Sequence, residues 1–195
     1  MSRVCSNIQA SLDWCEGMPA YPGLKRRVYY ISKGLIVDYP KYQKNAAGKI
    51  ISSVLQGSFT LAADASFKYI DFNANKNNLT SEPQGESPSQ TQLNKFVGVH
   101  PGTDADATNL AHYVNNDDIL YIVQDMQGKY RVLGNDMWAT VSTVNQENGE
   151  GPTGTAGTTL NVEVTDVCPA PFYKGTIVTE DGTIDCSDDD GSSSD

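Results

Sequence analysis

Apolar residues in this chain recur mostly at every second position, the period of a half-buried β-strand, and clusters of Gly, Pro, Asn and Asp separate the runs. After turn material at residues 17–24, Arg26 to Lys33 is rich in β-branched and aromatic residues and predicts a strand, with Leu35 to Tyr39 continuing it past a bulge at Gly34. Residues 40–49 read as a polar connection. Ile50 to Ala63 predicts an extended run bent at Gly57, and Ser66 to Asn73 and Gln92 to Val99 predict two more strands. Ile119-Leu-Tyr-Ile-Val123 is continuously apolar, the pattern of a strand buried on both faces. The turn Asp125-Met-Gln-Gly128 then folds Lys129 to Leu133 back as a hairpin. Trp138 to Val144 puts Trp138, Thr140, Ser142 and Val144 on one face. A Gly-rich turn at 149–157 precedes a strand over Thr158 to Thr165, and Phe172 to Thr179 predicts the last strand.

One segment has helical period instead. Ala107, Leu110, Ala111 and Val114 form a stripe, Thr103 can cap it, Asp104 and Asp106 favour its N-terminal dipole, and Asn115-Asn116 ends it. So narrow a stripe predicts a helix over 103–115 that covers one edge or face of a sheet. The polar stretch 73–91 exceeds the roughly 12–15 residues of an ordinary loop. It reads as a projecting arm or long hairpin ordered against a neighbouring subunit, with a floppy surface loop as the alternative. The expected fold is mainly β, a β-sandwich or barrel with one short α-helix and a long polar arm or hairpin. Its parts are an N-terminal segment 1–24, a single domain 25–179 and a disordered acidic tail 180–195.

Composition adds limits. Of 195 residues, 38% are hydrophobic, enough for a core, and no apolar run approaches the ~18 residues of a membrane helix. The start, Met-Ser-Arg-Val-Cys-Ser-Asn-Ile, does not read as an export signal. The net charge of −10 is uneven: residues 1–50 are basic on balance, whereas the rest is acidic. Only Lys25-Arg26-Arg27 clusters bases, and three bases beside a turn read as a solvated strand end, which argues against sequence-specific DNA binding. An acidic protein past which DNA slides is compatible with this balance. Cys5, Cys15, Cys168 and Cys186 have no C-x-x-C spacing and no zinc-type relation to His100 or His112. Reduced thiols are expected, with two disulfides in any of three connectivities as the alternative.

Motifs of catalysis are weak. Gly149-Glu-Gly-Pro-Thr-Gly154 matches G-x-G-x-x-G, but a strand pattern follows where a dinucleotide site needs a helix, so these glycines serve a hairpin loop. His112 falls off the apolar stripe and reads as a surface residue. No Ser or Cys sits in a nucleophile-elbow pattern. The pairs Asp117-Asp118 and Glu82 with Glu86 lie in turn or loop contexts, and Asp181 to Asp190 lacks the EF-hand spacing. Asn78-Leu-Thr80 fits a glycosylation sequon without the export route it requires. No catalytic residue, cofactor or metal is expected.

The segment Asp125-Met-Gln-Gly-Lys-Tyr-Arg-Val-Leu-Gly-Asn135, following a helix and a buried strand, resembles the tail tube proteins of tailed phages, particularly of Bacteroidetes phages. The strand entry Gly154-Thr-Ala-Gly-Thr-Thr-Leu-Asn-Val-Glu-Val164 and the ending Pro169-Ala-Pro-Phe-Tyr173 are similar to that family too, as is the order of parts over residues 20–179. The resemblance implies a virion structural protein, not an enzyme, made in the host cytoplasm. Its copies would join sheets into rings stacked as a tube that passes DNA, touching other tail or head–tail connector proteins; a connector or completion protein is a close variant. The arm would then supply subunit contacts through Asn75, Asn78, Leu79, Glu82 and Glu86, with Leu79 as apolar anchor. The alternative is a non-catalytic β-sandwich module that recognises carbohydrate or protein through exposed Tyr and Trp.

Overall fold

In a computed structural model, which describes residues 11–187 apart from 13 and 18, the chain is mainly β. The strands are β1 (Leu24–Ser32), β2 (Ile36–Asp38), β3 (Lys41–Lys44), β4 (Ile50–Gln56), β5 (Thr60–Leu61), β6 (Lys68–Asp71), β7 (Asn78–Gln84), β8 (Thr91–Pro101), β9 (Ile119–Asp125), β10 (Tyr130–Leu133), β11 (Thr140–Glu147), β12 (Gly157–Asp166), β13 (Phe172–Tyr173), β14 (Thr176–Thr179) and β15 (Gly182–Asp185), with the helix α1 (Ala105–Val114) between β8 and β9. A seven-stranded sheet runs β3-β4-β13-β10-β9-β1-β6, and a four-stranded sheet runs β11-β12-β8-β7. Two ribbons, β14–β15 and β2–β5, complete the fold. Among the described residues every strand pairing is antiparallel except β13 on β4, and an isolated parallel bridge joins Phe67 to Thr179.

The continuous apolar run at β9 explains the layering. Ile119, Tyr121 and Val123 join a core against the four-stranded sheet with Val28, Phe96, Leu160 and Val162, while Leu120 and Ile122 face a second core with Ile31, Phe59, Phe67, Tyr173 and Ile177. A strand with a core on each side has no solvent face to keep polar, so alternation disappears. The second core is ringed by aromatics: Phe59 stacks at 5.1–5.9 Å on Tyr39, Phe67 and Tyr173.

Several expectations change at their boundaries. The helix is capped by Asp104, whose Oδ1 accepts from Ala107 N at 2.9 Å, and not by Thr103. Leu35 to Tyr39 is no continuation of β1: a 3₁₀ turn at Lys33–Leu35 carries the chain off the sheet to pair β2 with β5. Residues 41–44, read as connection, form β3. The last predicted strand splits into β13 and β14 at Gly175, where a Cβ would sit 2.6 Å from both Gly57 O and the Tyr173 hydroxyl. The disorder expected from residue 180 does not hold for 182–187, because β15 pairs with β14 and buries Cys186. The acidic end at 188–195 lies outside the described residues, as do residues 1–10. The glycines at 149–154 do form the loop of the β11–β12 hairpin.

Candidate subunit interface

The polar stretch 73–91 takes the hairpin form expected as one of its two shapes; it is neither a projecting arm nor a loose loop. It folds as β7 and its turn, lying along β8 in register from Asn78 opposite Val97 to Gln84 opposite Thr91. Alternation places Leu79 and Ser81 inward and leaves Asn78, Thr80 and Glu82 exposed. Leu79, opposite Phe96, packs on the chain's own core, so it anchors the hairpin internally. Ser81 Oγ donates to Asn94 Oδ1 at 2.5 Å. Asn94, fully buried, also accepts from Ala170 N and donates to the Cys168 carbonyl. Gln84 reaches Thr165 Oγ1 at 2.8 Å.

The remaining predicted contact residues are placed as follows. Asn75 lies exposed in a short 3₁₀ turn, its N–H donating to Asn73 Oδ1. Glu82 ion-pairs Lys95 at 3.5 Å, and Lys95 also meets Glu163 at 3.9 Å, giving a short charge row across β7, β8 and β12. Such exposed pairs contribute little to stability. Glu86 sits exposed in the turn, its carbonyl accepting from Ser89 N. Asn78, Glu82 and Glu86 therefore share the rim of one hairpin with free surface, while Leu79 does not.

What makes this rim distinctive is how the other sheet edges end. An edge strand presents a row of unpaired amides and carbonyls that invites another chain. At β11 two amides of that row are capped by side chains: Asp118 Oδ1 accepts from Thr140 N at 2.9 Å and Asn115 Oδ1 from Val144 N at 2.7 Å. Lys33, ion-paired with Asp118 at 2.8 Å, also donates to the Trp138 carbonyl. β3 is four residues long and begins and ends on lysine. β6 is equally short and tied by Arg27, which grips Asp71 through two bonds of 2.8 Å and lies 3.8 Å over the Tyr69 ring. This pair holds the Asp71 carboxyl below its ordinary value, chiefly through the hydrogen bond from Arg27. β7 is seven residues long and paired with β8 alone among the described residues; no side chain caps it, and Pro83 removes one amide from its row. By type the Asn115-Asn-Asp-Asp118 run signals only a helix end and a turn; nothing local marks Asn115 and Asp118 as caps of a strand edge.

A second concentration of polar groups lies where β3, the end of β12 and the loop after β10 meet, in a cleft of about 540 Å³. Asp166 is 1% exposed and accepts from Tyr42 Oη (2.7 Å), Val167 N (2.6 Å) and Asn135 Nδ2 (3.2 Å). Desolvation nonetheless pushes its carboxyl above the ordinary value, and the same cause raises the Tyr42 phenol and the Cys168 thiol beside it. A carboxylate with three donors and a thiol held protonated make a tie between strands, not a nucleophile with its base. His100 Nδ1 meets the Asp71 carbonyl at 2.7 Å, and His112 is exposed on α1. Among the described residues no group of three metal-binding side chains converges, no helix is long and apolar enough to cross a membrane, and Cys15, Cys168 and Cys186 are free thiols. Cys5 lies outside the described residues.

No protein-family model, curated protein or solved structure matches this chain. Its own geometry defines the candidate site: among the described residues β7 is a seven-residue strand edge without a side-chain cap, while the other sheet edges are short or partly capped.

Proposed function

We propose that the chain is a structural subunit that joins edge to edge with copies of itself, forming rings or a tube of a phage tail through which DNA passes unbound. The observation that carries this is the contrast at the four-stranded sheet. One edge, β11, is capped at two amides by Asn115 and Asp118, while the other, β7, is a seven-residue strand that among the described residues has a partner on one side only. An edge left open in an otherwise protected fold is a docking surface for more β-structure; β7 on β7 alone closes a two-fold pair, so a ring also needs a second, head-to-tail contact on each copy. The acidic balance of the chain supports a wall that does not grip phosphates. Other tail or connector proteins would meet the ends of such an assembly, in the virion.

A binding module remains the second reading, favoured by the exposed rings of Tyr113 (73%) and Tyr69 (45%). Light scattering and negative-stain microscopy of the purified chain separate the two. Rings or tubes support assembly; a monomer at every concentration that retains a saccharide on a glycan array replaces it with the module.

A further inference from the structure

Side chains along β10 alternate between the two cores, with Val132 in the second and Leu133 in the first. Arg131 shares the Leu133 face, so the period of the strand turns a cation toward the space between the two sheets. There it is half-buried and fixed. Its guanidinium lies 4.0 Å over the ring of Phe172, the residue opposite it on β13, and Nη1 donates to the Ala170 carbonyl at 3.2 Å. No carboxylate pairs with it among the described residues. A cation drawn partly out of water, with only a carbonyl and a ring beside it, lacks the counter-charge such groups ordinarily have. Arg131 opens on a pocket of about 370 Å³ at the end of the molecule where β1 and β7 begin and β9 turns into β10. Asn77, Asn78, Gln127, Asp125 and Tyr21 line it too, so its wall is mostly polar. Asn77 Oδ1 is buried and has no hydrogen-bond partner among the described residues.

We propose that this pocket binds a small carboxylate that also carries hydroxyl groups, a sugar acid, with its carboxylate on the Arg131 fork and its hydroxyls on the amide wall. The site belongs to a single chain and stands apart from the assembly reading. A planar guanidinium matches a carboxylate with two parallel bonds, and the bond to Ala170 uses Nη1, leaving the Nε–Nη2 edge for the ligand. Stacking on Phe172 orders that fork before a ligand arrives, which lowers the cost of binding. Asp125 in the same wall repels a dianion such as phosphate more than a singly charged group. Amides donate and accept as hydroxyls do, whereas an aliphatic acid would strip water from Asn77, Asn78 and Gln127 and return no hydrogen bond. A turn of the Asn77 amide toward a ligand hydroxyl gives Oδ1 the donor it lacks. The volume lies at the small end of ligand pockets and suits one sugar ring.

The test titrates the full-length chain with D-glucuronate, D-glucose and acetate, followed by saturation-transfer NMR on the ligand. Glucuronate carries both kinds of group, and each of the other two carries one. The expected result is saturable binding of glucuronate, with glucose and acetate weaker by about tenfold or more. Arg131→Gln should weaken glucuronate by a similar factor, and Arg131→Lys, which keeps the charge and loses the fork, should not restore it. Gln127→Ala, on the exposed turn, should weaken binding less and leave the fold untouched; it serves as the readout if either change at Arg131 unfolds the chain. Circular dichroism checks each variant. No binding of glucuronate by the folded wild type, binding no tighter than that of glucose or acetate, or affinity indifferent to the folded variants overturns the proposal. Light scattering of the same samples reports assembly separately: rings that bind no glucuronate sink this site and leave the assembly reading standing, and a monomer that binds it through Arg131 does the reverse.

Discussion

Removing the Tyr42 hydroxyl tests the internal tie that holds the edge strand β3 to the end of β12. Tyr42→Phe keeps the ring and deletes one donor, the 2.7 Å bond to a carboxylate that is 1% exposed. A hydrogen bond to a charged group contributes about 1.5–3 kcal/mol. At ~2–4 °C per kcal/mol for a domain of this size, the midpoint of thermal unfolding should drop by roughly 3–12 °C near neutral pH. The loss should shrink in acid, and the sign follows from Asp166. Burial raises its folded value above the unfolded one, so the folded state holds the proton longer, and wild-type stability from this group is full below the unfolded value and declines as pH rises through the folded one. Once Asp166 is protonated, the bond from Tyr42 joins neutral partners and contributes only about 0.5–1.5 kcal/mol. Calorimetry of both proteins at neutral pH and at the lowest pH where both stay folded gives the comparison, with exposed Tyr113→Phe as control. An equal loss at both pH values, or none at neutral pH, refutes the reasoning.

Other expectations follow from single contacts. Gly98→Ala would put a Cβ at 2.8 Å from Phe96 Cζ and 2.9 Å from Phe72 Cδ1, inside the core, so chemical denaturation should report a loss of about 1–3 kcal/mol. Asn78→Lys adds a charge on the solvent side of β7, opposite Val97, so it should leave the thermal midpoint almost unchanged while light scattering shows association weakened. Cys186 is buried and its thiol is pushed up to about 12 chiefly by desolvation, so native alkylation at mildly basic pH, read by mass spectrometry, should label Cys15 and spare Cys186. Asn115→Ala frees the amide of Val144 at the capped β11 edge and should increase aggregation on heating, followed by turbidity.

The sequence made local and strongly periodic features legible. The β9 run, the hairpin into β10, the α1 stripe and the break at Gly57 are each written in consecutive residues. What stayed hidden depends on partners far along the chain. β3 is a strand only because β4 lies beside it, and β15 only because the β14 hairpin returns. Leu79 looked like an anchor for a neighbour because nothing local announces Phe96 opposite it. Likewise Asn115 and Asp118 are turn residues by type, and their capping of β11 exists only once residues 140–144 arrive beside them. Open and closed edges are properties of sheet order, which composition and periodicity do not encode.

The proposed assembly requires β7 to be completed by an identical chain, and amide hydrogen exchange across residues 78–84 reads this most directly. With rising protein concentration, exchange in that peptide should slow by about tenfold or more while the capped β11 peptide, 140–147, stays as it was. Exchange over 78–84 that is the same in dilute and concentrated protein, with scattering from a single chain throughout, contradicts it.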